Sequence, residues 1–137
     1  MKSIDFANTG ILLVEDEVFI RNLLKLMLRS LGVRDIRDAA DGTEGLTLLD
    51  NGFVPDLVFC DFHMAPMDGL TFMRHVRESA DPVRTRLPMI MLTAATDEAT
   101  VRAACGLGVG GYLVKPVSPK QLSDRMTALL RPRTGRG

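Results

Sequence analysis

Residues 56–69 read DLVFCDFHMAPMDG. Leu57, Val58, Phe59 and Cys60 are apolar without interruption, and the run stops at the bare carboxylate of Asp61. Pro66 and Asp68-Gly69 follow, which is turn chemistry. A continuous apolar run of this length suits a strand covered on both faces, as in a parallel sheet with helices above and below. A carboxylate closing such a strand needs a reason, because burial disfavours its charged form.

The pattern recurs along the chain. ILLV (11–14), MIML (89–92) and YLV (112–114) are further apolar runs, and VRDIRDA (33–39) is a weaker strand candidate whose charges suit a sheet edge. Helical patterns separate them. From Glu17 to Leu31, apolar residues recur at Ile20, Leu23, Leu24, Met27, Leu28 and Leu31, with Gly32 as a stop. Asp41 and Glu44 have capping-box spacing, Asp68 is placed to cap the next helix, and Thr96 or Asp97 starts the fourth. Ser118, Pro119 and Gln121 open a last helix running to about Leu130. A strand followed by a helix, five times over, predicts an α/β fold: a doubly wound parallel sheet in the flavodoxin-like order 2-1-3-4-5.

A length of 137 residues fits one domain, and 46% hydrophobic residues supply a core. The 17 basic and 17 acidic residues balance, so no global field draws the chain to nucleic acid or a membrane. No apolar run approaches the ~20 residues of a membrane span. The start, MKSIDFANTG, lacks the apolar stretch of a signal peptide. Cys60 and Cys105 have no metal spacing and read as small buried hydrophobes in a reducing cytoplasm. One domain is expected over 10–130, with an N-terminal extension at 1–9 and a basic, flexible tail, RPRTGRG, at 131–137. No linker to a second domain is evident, and the N-terminal Met favours a free protein over an excised piece.

Ligands of such sheets bind beyond the carboxyl ends of the strands, at the switch point between strands 1 and 3. The first strand ends in Glu15-Asp16, the third in Asp61, the fourth in Thr93 and the fifth in Lys115. Neighbouring strands lie about 4.8 Å apart, so these side chains can converge. Crowded carboxylates repel, and one lysine does not balance them. Hard oxygen ligands without a His/Cys cluster point to Mg²⁺. A carboxylate nucleophile with a metal, a lysine and a hydroxyl predicts phosphoryl chemistry.

LLVEDE, DFHMAPMDG, MLTA and YLVKP, in this order and on these strand ends, strongly resemble the receiver domain of two-component response regulators. The resemblance covers roughly residues 10–130 and implies a CheY-like, stand-alone signalling switch. It implies that Asp61 is the phosphoacceptor, that Asp16 binds Mg²⁺ directly and Glu15 through water, and that the His63 backbone carbonyl completes the protein ligands. Thr93 and Lys115 would bind phosphoryl oxygens. Tyr112 matches the aromatic switch position, and Lys115-Pro116 a cis peptide. The implied donor is a sensor histidine kinase or a histidine phosphotransfer protein. The implied output is a downstream protein, bound through the fourth helix, fifth strand and fifth helix; no nucleic acid or membrane is implied. Phosphorylation would draw Thr93 inward, with Tyr112 following.

Some positions depart from the family pattern. Ala65 stands where proline is common and Pro66 comes one later; Phe62 stands where tryptophan is common, and the chain has no tryptophan. His63 lies where that family's side chain bears on phosphoryl lifetime, or is an exposed histidine whose backbone alone matters. Arg74, His75 and Arg77 read as a solvated helix face. GLGVGG (106–111) reads as helix-stop and turn glycines that loosen the end of the fourth helix, since it lies between a helix and a strand. Met64 and Met67 read as packing the acceptor turn. For Asp16 and Asp61 the structural alternative is helix capping and turn initiation. Two other function classes compete. A haloacid-dehalogenase phosphatase would have a second Asp where His63 stands. A phosphorylation-independent adaptor would have lost a key site residue, and none is missing.

Overall fold

The computed structural model describes residues 6–94 and 98–130. The expected helix start at Thr96 or Asp97, the tail and part of the N-terminal extension lie outside the described residues. The elements are β1 (Gly10–Val14), α1 (Val18–Ser30), β2 (Asp35–Ala39), α2 (Gly42–Asp50), β3 (Leu57–Asp61), α3 (Gly69–Arg77), α4 (Pro82–Thr85), β4 (Met89–Thr93), α5 (Glu98–Gly106), β5 (Gly111–Val114) and α6 (Pro119–Leu129). A short 3₁₀ turn over Phe6–Asn8 precedes β1.

The strands pair in parallel in the order β2-β1-β3-β4-β5, as expected. The continuous apolar runs become the three central strands, each buried throughout. The edges differ: β2 alternates in burial and β5 is mostly outside. Alternate residues of each strand point to opposite faces. Leu12, Val14, Val58 and Cys60 pack with Phe72, Met73 and Val76 of α3, Leu49 of α2 and Ala104 of α5. Ile11, Leu13, Leu57 and Phe59 pack with Leu24 and Leu28 of α1 and Leu122 and Met126 of α6. Each fully buried aliphatic or aromatic side chain contributes roughly 1.5–3 kcal/mol relative to exposure, so these two layers carry the fold.

The caps follow the sequence closely. Asp41 accepts from the Glu44 amide at 3.0 Å, Asp68 from Thr71 at 2.8 Å, and Ser118 and Gln121 form a reciprocal box. Gly32, at φ +102°, takes the chain out of α1.

The helix-capping alternative for Asp16 does not hold: the cap position of α1 is Glu17, without a side-chain bond. A further short helix, α4, lies between α3 and β4, where the sequence reading placed no element; it is capped by Asp81 with Pro82 in its first turn. This extra turn makes the fourth and fifth expected helices α5 and α6. Cys105 is exposed, not buried. Arg77 does not belong to a solvated face: its guanidinium turns inward and bonds Leu107 and Gly108, so the end of α5 is held rather than loosened. Among the described residues, no helix is long and apolar enough to cross a membrane.

Candidate functional site

Three strand ends and one long side chain build the site. The Glu15 amide continues the β1–β2 ladder, donating to the Ala39 carbonyl at 3.0 Å. This fixes Glu15 at the tip of β1, where its residue is fully buried. Asp61 is the last residue of β3 and is 5% exposed, while Asp16 beside it faces solvent. Lys115 follows β5, and its amide donates to the Thr93 carbonyl at 2.7 Å. Its side chain reaches across the end of β4. The ammonium lies 2.7 Å from Glu15 Oε1 and 3.2 Å from Asp61 Oδ1. The Glu17 amide donates to Glu15 Oε2 at 3.2 Å, so both oxygens of Glu15 are engaged.

The electrostatics express an excess of negative charge. Burial pushes the Glu15 carboxyl up from its ordinary value; the Lys115 bond pulls it back and Asp61 pushes it further. Burial also raises Asp61, with Lys115 and the Phe62 amide opposing and Asp16 adding. Burial alone would lower Lys115, but Glu15 and Asp61 outweigh it and its pKa is raised. One ammonium therefore serves two buried carboxylates, with a third nearby.

One oxygen from each of Glu15, Asp16 and Asp61 lies within 4.8 Å of the others. These are hard ligands, partly water-accessible through Asp16, and carry more negative charge than Lys115 offsets. That donor set fits a divalent cation such as Mg²⁺.

Thr93 is 2% exposed and follows Leu92, the register partner of Asp61. Tyr112 pairs with Met91 on the edge strand and is 38% exposed, at the surface rather than among the carboxylates. The His63 side chain is exposed, its ring tilted against Phe62 with centroids 6.1 Å apart. Lys115-Pro116 is cis as expected, and Ala65-Pro66 is cis as well. Met64 is buried and Met67 partly so, both packing behind the turn that follows Asp61.

Sequence reasoning missed two supports. Arg21 of α1 donates to the Glu15 carbonyl at 2.8 Å while its Nε lies 3.0 Å from Asp38 Oδ2 at the end of β2. Lys25 also reaches Asp38, at 3.1 Å. The charges of VRDIRDA thus brace the first strand tip as well as marking an edge. Gly69 is the second. A Cβ there would collide with the Asp61 carbonyl oxygen, and the Gly69 amide donates to the Phe62 carbonyl at 2.9 Å. The first turn of α3 presses directly on the strand end, which only glycine permits. The Asp68-Gly69 pair was legible as a turn; the backbone approach behind it was not.

Known proteins resemble this chain in sequence and fold. The sequence pattern of the Response regulator receiver domain matches residues 11–127. The chain belongs to the response regulator receiver family. This receiver is 33% identical over 126 residues to Chemotaxis protein CheY-3 of Vibrio cholerae, covering 92% of this chain and 95% of that one. It is 40% identical over 121 residues to the "Probable transcriptional regulator ycf27" of Cyanophora paradoxa, covering 88% of the receiver but 48% of that relative. The chain thus spans about half the length of that relative. A putative response regulator from Chloroflexus aurantiacus superposes with a TM-score of 0.80 at 33% identity, covering 88% of this chain and 96% of that one.

Proposed function

We propose that this receiver is a phosphorylation switch in which Asp61 accepts a phosphoryl group from a phosphohistidine. The donor is a sensor histidine kinase or a histidine phosphotransfer protein. The observation that carries the reading is Asp61 itself: a buried carboxylate on a strand tip, 3.2 Å from the Lys115 ammonium and clustered with Glu15 and Asp16.

The chemistry balances on this chain's residues. An Asp61 carboxylate oxygen forms a bond to phosphorus as the phosphorus–nitrogen bond breaks, and the electron pair leaves on the donor imidazole. Glu15, Asp16, Asp61 and the His63 backbone carbonyl would hold Mg²⁺, Glu15 through water. Bound there, the ion supplies charge neutralisation for the phosphoryl oxygens. Lys115 leaves its hold on Asp61 for one phosphoryl oxygen, and the Thr93 hydroxyl bonds another. Thr93 moves inward, Tyr112 follows, and the surface of α5, β5 and α6 changes its affinity for a downstream protein. Water attack on the acyl phosphate releases inorganic phosphate and restores the carboxylate. The chain catalyses only its own phosphorylation and dephosphorylation, and a cytoplasmic location goes with this role.

A docking face for a helical donor supports the reading. Phe19, Leu23 and Leu26 of α1 are 76%, 38% and 66% exposed. Their 4-3 spacing is that of a helix–helix seam. Beside them an apolar groove of about 280 Å³ runs between α1 and residues 115–117, sharing Lys115 with the site.

The test is intact-protein mass with Mg²⁺ and acetyl phosphate, for wild type and Asp61→Asn. A Mg²⁺-dependent gain of one phosphoryl group in the wild type alone is expected. No gain in a folded, Mg²⁺-binding wild type would sink the proposal and leave a phosphorylation-independent adaptor.

A further inference from the structure

The charged end of α3 looks like an ordinary solvated turn, but Arg77 departs from it. Its Nε donates to the Leu107 carbonyl at 2.7 Å and Nη2 to Gly108 at 3.0 Å. Its Nη1 donates to Thr85 at 3.0 Å and to Leu87 at 2.7 Å. All four acceptors are main-chain carbonyls. Thr85 is the last residue of α4, Leu87 lies in the segment joining α4 to β4, and the other two lie in the loop joining α5 to β5. Burial lowers the guanidinium's pKa, yet arginine remains charged in proteins, so each of these bonds is charge-assisted.

The loop it holds is itself closed. The Leu107 and Val109 amides donate to the Ala104 carbonyl at 3.0 and 3.2 Å, and the Gly110 amide to Met89 at 2.7 Å. Gly108 takes φ +77°, which lets its carbonyl turn toward Arg77. Leu107 and Val109 pack against the core layer beneath. The rest of α5 is lightly anchored. Among the described residues, Ala104 is its buried position, and the ion pair from Arg102 to Glu98 at 3.7 Å is largely exposed. Such a pair contributes little. The helix is thus fastened at its carboxyl end, while the amino end begins five residues after Thr93.

We infer that Arg77 is the pivot of the switch face: it pins the carboxyl end of α5 so that displacement of Thr93 swings the amino end. Only the forked guanidinium serves four divergent carbonyls; an ammonium on a lysine stem has three donors around one point. Arg77 touches no reacting atom and is a positioning residue. The inference rests on the switch reading and adds where the moving helix hinges.

Hydrogen exchange on wild type, Arg77→Met and Arg77→Lys, each with and without Mg²⁺ and beryllofluoride, tests it. In wild type, beryllofluoride should alter exchange over 98–104 and leave 107–110 within about two-fold. In Arg77→Met, 107–110 should exchange at least about ten-fold faster without ligand, and beryllofluoride should then alter that loop too. Amides of β1 and β3 should keep their wild-type rates. Arg77→Lys should lie between the two, and it serves as the readout if the Met variant does not fold. A loop unchanged in Arg77→Met, an acceleration shared equally by β1 and β3, or full protection by lysine would each overturn the inference. Phosphoryl gain by mass on the same samples separates the claims. A wild type that gains none defeats the switch reading, whereas normal gain without the localised exchange pattern defeats only the pivot.

Discussion

Asp56 and Asp61 bracket β3, one just before the strand and one at its end, and their surroundings are opposite. Asp56 is half-buried and accepts the Gly10 amide at 2.7 Å, while its own amide donates to the Gly10 carbonyl at 2.7 Å. A main-chain donor is matched to its charge, and β1 and β3 are locked in register. Asp61 is more deeply buried, shares one ammonium with Glu15, and has Asp16 close by. The same residue type thus serves the scaffold at one end of the strand. At the other end it is left with a charge deficit that the fold does not resolve. Parallel strands produce this asymmetry, because their carboxyl ends gather where the crossovers leave room for a ligand.

The sharpest way to break the comparison is to make the same change at both ends. Asp61→Asn should abolish the Mg²⁺-dependent phosphoryl gain, and Asp56→Asn should leave its extent unchanged; intact mass reads both. Gly69→Ala should come next in size. Its methyl group would push the first turn of α3 off the Asp61 carbonyl, costing about 2–3 kcal/mol in denaturant melts and slowing phosphorylation. An alanine variant with wild-type stability and rate would mean that the α3 turn does not position the acceptor.

The two asparagine variants should also shift stability in opposite directions without metal. Asp56→Asn weakens a charge-assisted bond and should cost about 1 kcal/mol. Asp61→Asn removes a carboxylate whose burial outweighs its partner, and should raise the melting temperature by a few degrees. Shifts of the same sign would remove the contrast.

The smallest effect is in pH. Glu15 and Asp61 have folded pKa values above their unfolded ones, so the folded state binds their protons more tightly. Their stabilising contribution is present below the unfolded value and is lost as pH rises through the folded one. Without Mg²⁺, the melting temperature should therefore rise slightly on acidification from neutral, until the ordinary carboxylates begin to protonate. Lys115, itself raised, stays charged throughout that window. Saturating Mg²⁺ at neutral pH should flatten this gain, because it binds the ionised site.

These contrasts show which parts of the molecule were legible in sequence. The three central strands were, because burial on both faces leaves a run with no polar interruption. The gathering of Glu15, Asp16, Asp61 and Lys115 was too, because strand order alone places those ends together. What escaped depends on partners distant in the chain. The carbonyls bonded by Arg77 lie up to 31 residues away, so a charged helix end reads as solvated. The bracing of Glu15 by Arg21 and Asp38 joins three elements, and none of the three residues signals it alone. At α4, Asp81 and Pro82 carry cap signals, but four residues show no periodicity to match them. Cys105 sits on a helix with one buried position, so its apolar character predicted the wrong side.

That last misplacement has a practical consequence. The chain has two thiols, and burial pushes Cys60 well above the ordinary range, inside the core and out of reach of reagents. A thiol-reactive dye or spin label added to the native protein will therefore attach at Cys105 alone, near the end of α5 held by Arg77. The native sequence supplies a single-site reporter for that helix, with no cysteine to delete first.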